Sequence, residues 1–254
     1  MGRSDALVRG EGCGLSYLAK PPNAPNAGPK PWPLLVFLHG AGERGHEDGR
    51  DLGKVCLHGP WRSQGIENFF LLAPQCPNGL VWPALAKQVV ALARSILQSH
   101  RLDASRCYIT GLSMGGFGAW AAAVADPELF AAVVPVCGGF APPLPRTTGL
   151  SAVLQLAKQR PKAEQLARVK KLPAWFFHGS ADRTVAVDGS ILVYEAMGGK
   201  ARGIKTLRLK LYKNVGHHIW TSAYHTPELL PWLLRQRNSS ATTITTPTAA
   251  ITTT

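Results

Sequence analysis

Apolar residues gather along the chain in short continuous runs. Leu34 to Leu38, Asn68 to Ala73, Phe130 to Cys137 and Pro173 to Phe177 carry apolar side chains at odd and even positions alike. A strand buried on one face would alternate, so these runs predict strands covered on both faces, as in a parallel sheet. Ile204 to Tyr212 does alternate, which predicts a half-exposed strand at a sheet edge. Between strands the period changes. Leu85, Val89, Leu92 and Ile96 recur at three- and four-residue steps, predicting an amphipathic helix from Ala84 to His100. Ile191 to Met197 suits another helix, stopped by Gly198 and Gly199, with Asp188 as its cap. A last helix is expected to start at Thr226 as cap, with Pro227 at its first position and Glu228 in its first turn. Pro231 is expected to kink it.

Strands alternating with helices predict an α/β domain with a mostly parallel central sheet and helices on both faces. The domain is expected to span residues 14–237. Residues 1–13 read as a poorly ordered N-terminus, and Gly14 to Lys20 as an early strand running into a proline-rich loop that ends at Pro33. Residues 46–64 read as a short helix with a mobile segment. Residues 140–172 form a basic, partly helical insertion, its helix from Leu150 to Arg168 divided by Pro161. From residue 238 to 254 the chain is rich in Ser, Thr and Ala and reads as a disordered tail.

Composition narrows the function classes. No apolar run approaches the roughly 20 residues needed to cross a bilayer. The first residues lack the apolar core of a signal peptide, so a cytoplasmic location is expected and the Asn238-Ser-Ser240 sequon is read as chance. Five cysteines lie scattered without a C-x-x-C pair, which argues against a zinc cluster or disulfide framework. The net charge is +13, concentrated where Arg146 to Lys171 holds seven Lys and Arg against Glu164, and where Lys200 to Lys213 holds six. Such patches suit a solvated surface or peripheral contact with a membrane. No nucleic-acid motif, Walker loop or dinucleotide fingerprint accompanies them, so neither nucleic acid nor a cofactor or metal is expected.

The chemistry centres on Arg106 to Trp120. Cys107, Tyr108, Ile109 and Thr110 suit a buried strand. Gly111-Leu-Ser113-Met-Gly115 follows with the spacing G-x-S-x-G, and Gly116, Gly118, Ala119 and Ala121 to Ala123 then suit a helix packed closely on a sheet. Strand, sharp turn and helix are what a nucleophile elbow requires. A glycine-rich connection with an incidental serine is the competing reading, and a cysteine nucleophile is a second. A serine hydroxyl needs a base, a group that orients the base, and oxyanion donors. In an elbow fold the acid and then the histidine follow the serine, each on a loop after a strand. Asp182 lies five residues past Phe177 and His217 follows Gly216 after the alternating strand. Their competitors are Asp188 and His218. His39 and His178, each in a His-Gly pair closing a strand, read as local hydrogen-bonding residues. The oxyanion donors are expected to be the N–H groups of Met114 and of Ala41, in the glycine-rich turn after Leu38.

His39-Gly-Ala-Gly-Glu-Arg-Gly45, Ala73-Pro-Gln-Cys-Pro77, Gly111-Leu-Ser-Met-Gly-Gly116, His178-Gly-Ser-Ala-Asp182 and Gly216-His-His-Ile-Trp220 occur in that order. Together they resemble the α/β-hydrolases, and more narrowly the phospholipase/carboxylesterase branch near the dienelactone-hydrolase-like and predicted-peptidase esterases. The resemblance runs from about Gly14 to Arg235. It implies Ser113 as nucleophile, Asp182 as acid and His217 as base, acting without a cofactor on a small-molecule carboxylic ester through an acyl-enzyme. Thioesterase, serine peptidase and a non-catalytic binding protein of the same fold are the alternatives. The chain departs from the family in His218, where Asn or Asp is usual, in the length of 140–172, and in Pro231.

Overall fold

A computed structural model describes residues 7–22, 30–140, 162–199 and 205–240. Eight strands form one sheet: β1 (Val8–Gly12), β2 (Leu15–Lys20), β3 (Leu34–Leu38), β4 (Phe70–Pro74), β5 (Cys107–Leu112), β6 (Ala132–Val136), β7 (Ala174–Gly179) and β8 (Leu207–Tyr212). Their order across the sheet is β1-β2-β4-β3-β5-β6-β7-β8. The first two pairings, β1 with β2 and β2 with β4, are antiparallel, and every pairing from β4 to β8 is parallel. The mostly parallel sheet is the one expected from the alternation of strands and helices, and the architecture is the α/β-hydrolase fold that the resemblance implied.

The continuous apolar runs explain the layering. Along β3, Leu34, Val36 and Leu38 enter the core on one face, while Leu35 and Phe37 enter the core on the other. Residues of β7 divide likewise, Ala174 and Phe176 against Trp175 and Phe177. The first face is covered by α1 (Ala86–Ser99) and α2 (Met114–Ala125), with Val169 of α3 (Ala163–Val169) and Val193 of α4 (Asp188–Ala196). The second is covered by α5 (Trp220–Tyr224), α6 (Leu229–Leu234) and the 3-10 turns of residues 52–68. A fully buried large apolar side chain such as Phe37 or Phe177 contributes roughly 1.5–3 kcal/mol through burial. Among the described residues no helix is long and apolar enough to cross a membrane.

Several expectations need correction. The N-terminal stretch expected to be poorly ordered holds β1, whose residues pair with β2 from Val8↔Ala19 to Gly12↔Leu15. Its sequence, Val-Arg-Gly-Glu-Gly, carries little apolar signal because this edge strand is largely exposed. Residues 46–64 form consecutive 3-10 turns rather than one helix. They are tied down by the Gln75 side chain, whose amide donates to Glu43 O and Asp51 O at 3.1 Å each. Asp188 is the first residue of α4 and makes no capping bond.

The final helix begins at Leu229 rather than Pro227. The Thr226 hydroxyl caps nothing there; it donates back to Ser222 O at 3.2 Å. Pro231 lies in the first turn, where an N–H has no intrahelical partner, and Trp232 N–H still reaches Glu228 O at 2.8 Å. Of the basic insertion, residues 141–161 with Pro161 lie outside the described residues; 163–169 are helical as expected. Residues 1–6 and 241–254 also lie outside them, and Asn238 at the tail's start is held by Ser105 O at 2.9 Å.

Candidate active site

The turn between β5 and α2 is built by close backbone approach. A Cβ on Gly111 would stand 2.3 Å from Gly115 O, and one on Gly115 would stand 1.9 Å from Leu38 O. Only hydrogen fits at either position, so the glycines at −2 and +2 of Ser113 allow strand, turn and helix to nest against β3. Ser113 itself has φ 53° and ψ −118°. That region costs a residue with a Cβ roughly 1–3 kcal/mol, held here by the surrounding packing. Ser113 N–H donates to Val136 O at 2.8 Å, and its carbonyl accepts from Gly116 N–H at 2.9 Å. The strained turn lifts the side chain above the carboxyl end of the sheet.

The acid and base loops, 35 residues apart, are laced together by backbone. Ser180 N–H donates to Tyr212 O at 3.0 Å, Ala181 N–H to Val215 O at 3.0 Å, and Asn214 N–H to Ser180 Oγ at 2.9 Å. A Cβ on Gly179 would lie 2.2 Å from Gly216 O, so the loop after β8 runs directly over the end of β7. This lacing brings Asp182 to His217. His217 Nδ1–H donates to Asp182 Oδ2 at 2.6 Å, and His217 Nε2 accepts from the Ser113 hydroxyl at 2.8 Å. The carboxylate acceptor fixes which ring nitrogen carries the hydrogen.

The Asp182 side chain is fully buried and that of His217 is 11% exposed. Asp182 Oδ1 accepts from Thr184 N–H at 2.8 Å and Val185 N–H at 2.9 Å. Burial would raise this carboxyl, but hydrogen bonds from His178, His217 and Val185 and the pull of His217 outweigh it. They hold Asp182 well below the usual carboxylate range. It is thus an anion placed to orient an imidazole and to stabilise its charged form. Of the competitors, Asp188 is exposed at the start of α4, and His218 is exposed with its ring against Trp220 at 4.6 Å. Burial pushes the Cys107 and Cys137 thiols up, which disfavours the thiolate a cysteine nucleophile needs.

The two loops expected to supply oxyanion donors leave the sheet side by side. Leu38 pairs with Gly111, so Ala41 and Ser113 follow the same rung of the sheet by three and two residues. Ala41 opens the 3-10 turn Ala41–Glu43, and Met114 opens α2. The first N–H groups of a helical turn have no partner inside it and are available to an anion. His39 is a buried structural residue. Its Nδ1 faces Gly40 O at 2.6 Å, its Nε2 accepts from Cys76 N–H at 2.9 Å, and burial lowers its pKa to about 4 against the Gly40 bond.

The sequence assigns no role to Glu43, His58 or Trp220, yet they stand beside the site. Glu43 is buried in the turn after β3, with His58 Nε2 at 3.6 Å. Burial raises its carboxyl above the ordinary range, against the opposing pull of His58 and the Gly40 N–H. Trp220 packs between the rings of His58, at 5.2 Å, and His218, beside His217 at 5.9 Å. His178 was expected to bond locally and does, but it also faces Asp182 Oδ2 at 3.2 Å. The spacing of four residues between His178 and Asp182 is the sequence signal for that contact.

The prolyl oligopeptidase family matches residues 84–142, a stretch that holds Ser113 but neither Asp182 nor His217. A poly(3-hydroxyalkanoate) depolymerase C from Paucimonas lemoignei is 26% identical over 191 residues, 65% of this chain. The chain spans 44% of that relative's length. Among solved structures, a thermostable esterase is 28% identical with a TM-score of 0.70, covering 91% of this chain and 62% of its own. An acetyl xylan esterase from Aspergillus awamori is 15% identical with a TM-score of 0.67, over 90% of this chain and 98% of its own. That last likeness speaks for the fold alone.

Proposed function

We propose that this chain, which has the α/β-hydrolase fold, hydrolyses carboxylic esters through an acyl-enzyme on Ser113. The observation that carries this reading is the continuous hydrogen-bond path from Ser113 Oγ through His217 to Asp182, at 2.8 and 2.6 Å. As Ser113 Oγ attacks the ester carbonyl carbon, its hydrogen passes to His217 Nε2 and the carbonyl π electrons move onto oxygen. The N–H groups of Ala41 and Met114 stabilise that oxyanion. Asp182 stabilises the imidazolium but keeps its own charge. The tetrahedral intermediate expels the alkoxide, which leaves as the alcohol with the hydrogen from His217 Nε2. Water, deprotonated by the same nitrogen, then attacks the acyl-enzyme and releases the carboxylic acid with Ser113 restored.

The likeness to a thermostable esterase and to a depolymerase supports ester cleavage at a general level. Amide cleavage is the second reading, and the prolyl oligopeptidase match over residues 84–142 favours it. A panel of p-nitrophenyl esters, the matching thioesters and p-nitroanilides separates these readings. The proposal expects ester turnover that disappears in Ser113→Ala. Turnover of anilides above esters overturns the ester assignment, and ester turnover unaffected by Ser113→Ala overturns the role of Ser113.

A further inference from the structure

Asp182 Oδ2 serves more than one imidazole. His178, near the end of β7, contacts the same oxygen as His217 and is fully buried. Its Nε2 is 3.2 Å from Asp182 Oδ2 and 3.0 Å from Val185 O. Both neighbours can only accept, so this nitrogen carries a hydrogen. In the neutral ring Nδ1 must then accept, and Ser190 Oγ stands 2.8 Å from it. Ser190, on α4, is itself buried, and its hydroxyl also lies 3.1 Å from Gly138 O, on the loop after β6.

We propose that His178 and Ser190 are positioning residues for the reaction, holding Asp182 in the plane that His217 requires. The proposal rests on reading Ser113, His217 and Asp182 as nucleophile, base and acid. The one hydrogen of the Ser190 hydroxyl is shared between Gly138 O and His178 Nδ1, and the His178 Nε2 hydrogen is shared between Val185 O and Asp182 Oδ2, so the ring is held at both nitrogens. The same Oδ2 takes the hydrogen of His217 Nδ1, so the His178 bond bears directly on the oxygen that orients the base. His178 also spans the turn that follows Asp182, touching the carboxylate at one end and Val185 O at the other. Oδ1 is fixed by the N–H groups of Thr184 and Val185 and Oδ2 by two rings, so the carboxylate has no free rotation. At full burial no water replaces a lost donor, and the loss is felt in full.

The test uses the full chain as His178→Leu, His178→Gln and Ser190→Ala, with p-nitrophenyl acetate as substrate. Turnover is counted per site titrated with a fluorophosphonate probe, so that a smaller folded fraction does not count as a slower enzyme. His178→Leu is expected to lower kcat on the order of 10- to 100-fold, the effect of one lost hydrogen bond to a charged group. KM is expected to stay within about threefold, because the acid does not touch substrate. His178→Gln, whose amide still donates, recovers most of that loss. Ser190→Ala, one bond further away, lowers kcat by about three- to tenfold.

A role in packing alone predicts equal losses of titratable sites in His178→Leu and His178→Gln, with kcat per titrated site unchanged; that result overturns the proposal. Should His178→Leu not fold, Ser190→Ala decides, and kcat per titrated site equal to wild type overturns it. A wild-type chain that neither turns over substrate nor takes the probe overturns the reading of Ser113 and this proposal with it.

Discussion

Replacing Asp182 with Asn alters one terminal group in a fully buried side chain and turns both contacts of Oδ2 from accepting into donating. The amide oxygen can keep both backbone bonds, from Thr184 at 2.8 Å and Val185 at 2.9 Å, so the turn keeps its shape. The amide nitrogen then faces His217 Nδ1 across 2.6 Å and His178 Nε2 across 3.2 Å, N–H against N–H. His217 can relieve the clash by moving its hydrogen from Nδ1 to Nε2. That hydrogen then points at Ser113 Oγ, 2.8 Å away, and the ring can no longer take the serine's own. In Ser-His-Asp enzymes this loss of the working tautomer costs kcat roughly 10⁴-fold, or roughly 5 kcal/mol of transition-state stabilisation. The assay is the initial rate of p-nitrophenyl acetate hydrolysis on protein shown to be folded by circular dichroism. Asp188→Asn, an exposed change at the start of α4, is the control and leaves the rate unaltered. A folded Asp182→Asn chain within about tenfold of wild type would refute the assignment of the acid.

Two further outcomes follow from the fold that supports the site. Gly115→Ala places a Cβ 1.9 Å from Leu38 O and 2.5 Å from Leu38 C, so β3 or α2 must shift; urea unfolding should register a loss of about 3 kcal/mol, and a loss under about 1 kcal/mol contradicts the close approach. His39, with its pKa lowered by burial from 6.5 to about 4, binds fewer protons folded than unfolded across that window. Stability from keeping this ring neutral is therefore fully present above pH 6.5 and falls by on the order of 3 kcal/mol on acidification to about pH 4. Unfolding curves across that range should show the slope in wild type and a shallower one in His39→Gln; parallel slopes contradict the assignment.

The parallel core of the fold was legible because its strands are apolar on both faces. Leu34 to Leu38 and Pro173 to Phe177 match β3 and β7 closely for that reason. The exposed edges were not legible in the same way. β1 alternates Arg9 and Glu11 with Gly10 and Gly12 and is defined by its pairing with β2, which no local pattern carries. At the site, Ser113 was readable from its glycines, whose spacing reflects the contacts of Gly111 and Gly115 with backbone. Asp182 and His217 were readable from chain order and loop position. The partners that complete the surroundings were harder to read, because Glu43 and His58, on the connection between β3 and β4, meet Trp220 only when the segment after β8 converges on them. Ser190 was invisible for a related reason, since its partners lie on β7 and on the loop after β6.

On the proposed reading Ser113 Oγ is the nucleophilic atom, activated by His217. Incubation with a fluorophosphonate followed by peptide mass spectrometry tests it most directly. One phosphonyl adduct on the peptide bearing Ser113 is expected in wild type, with no labelling in Ser113→Ala and labelling slowed on the order of 10³-fold or more in His217→Ala. An adduct on another residue, or labelling that persists undiminished in Ser113→Ala, contradicts it.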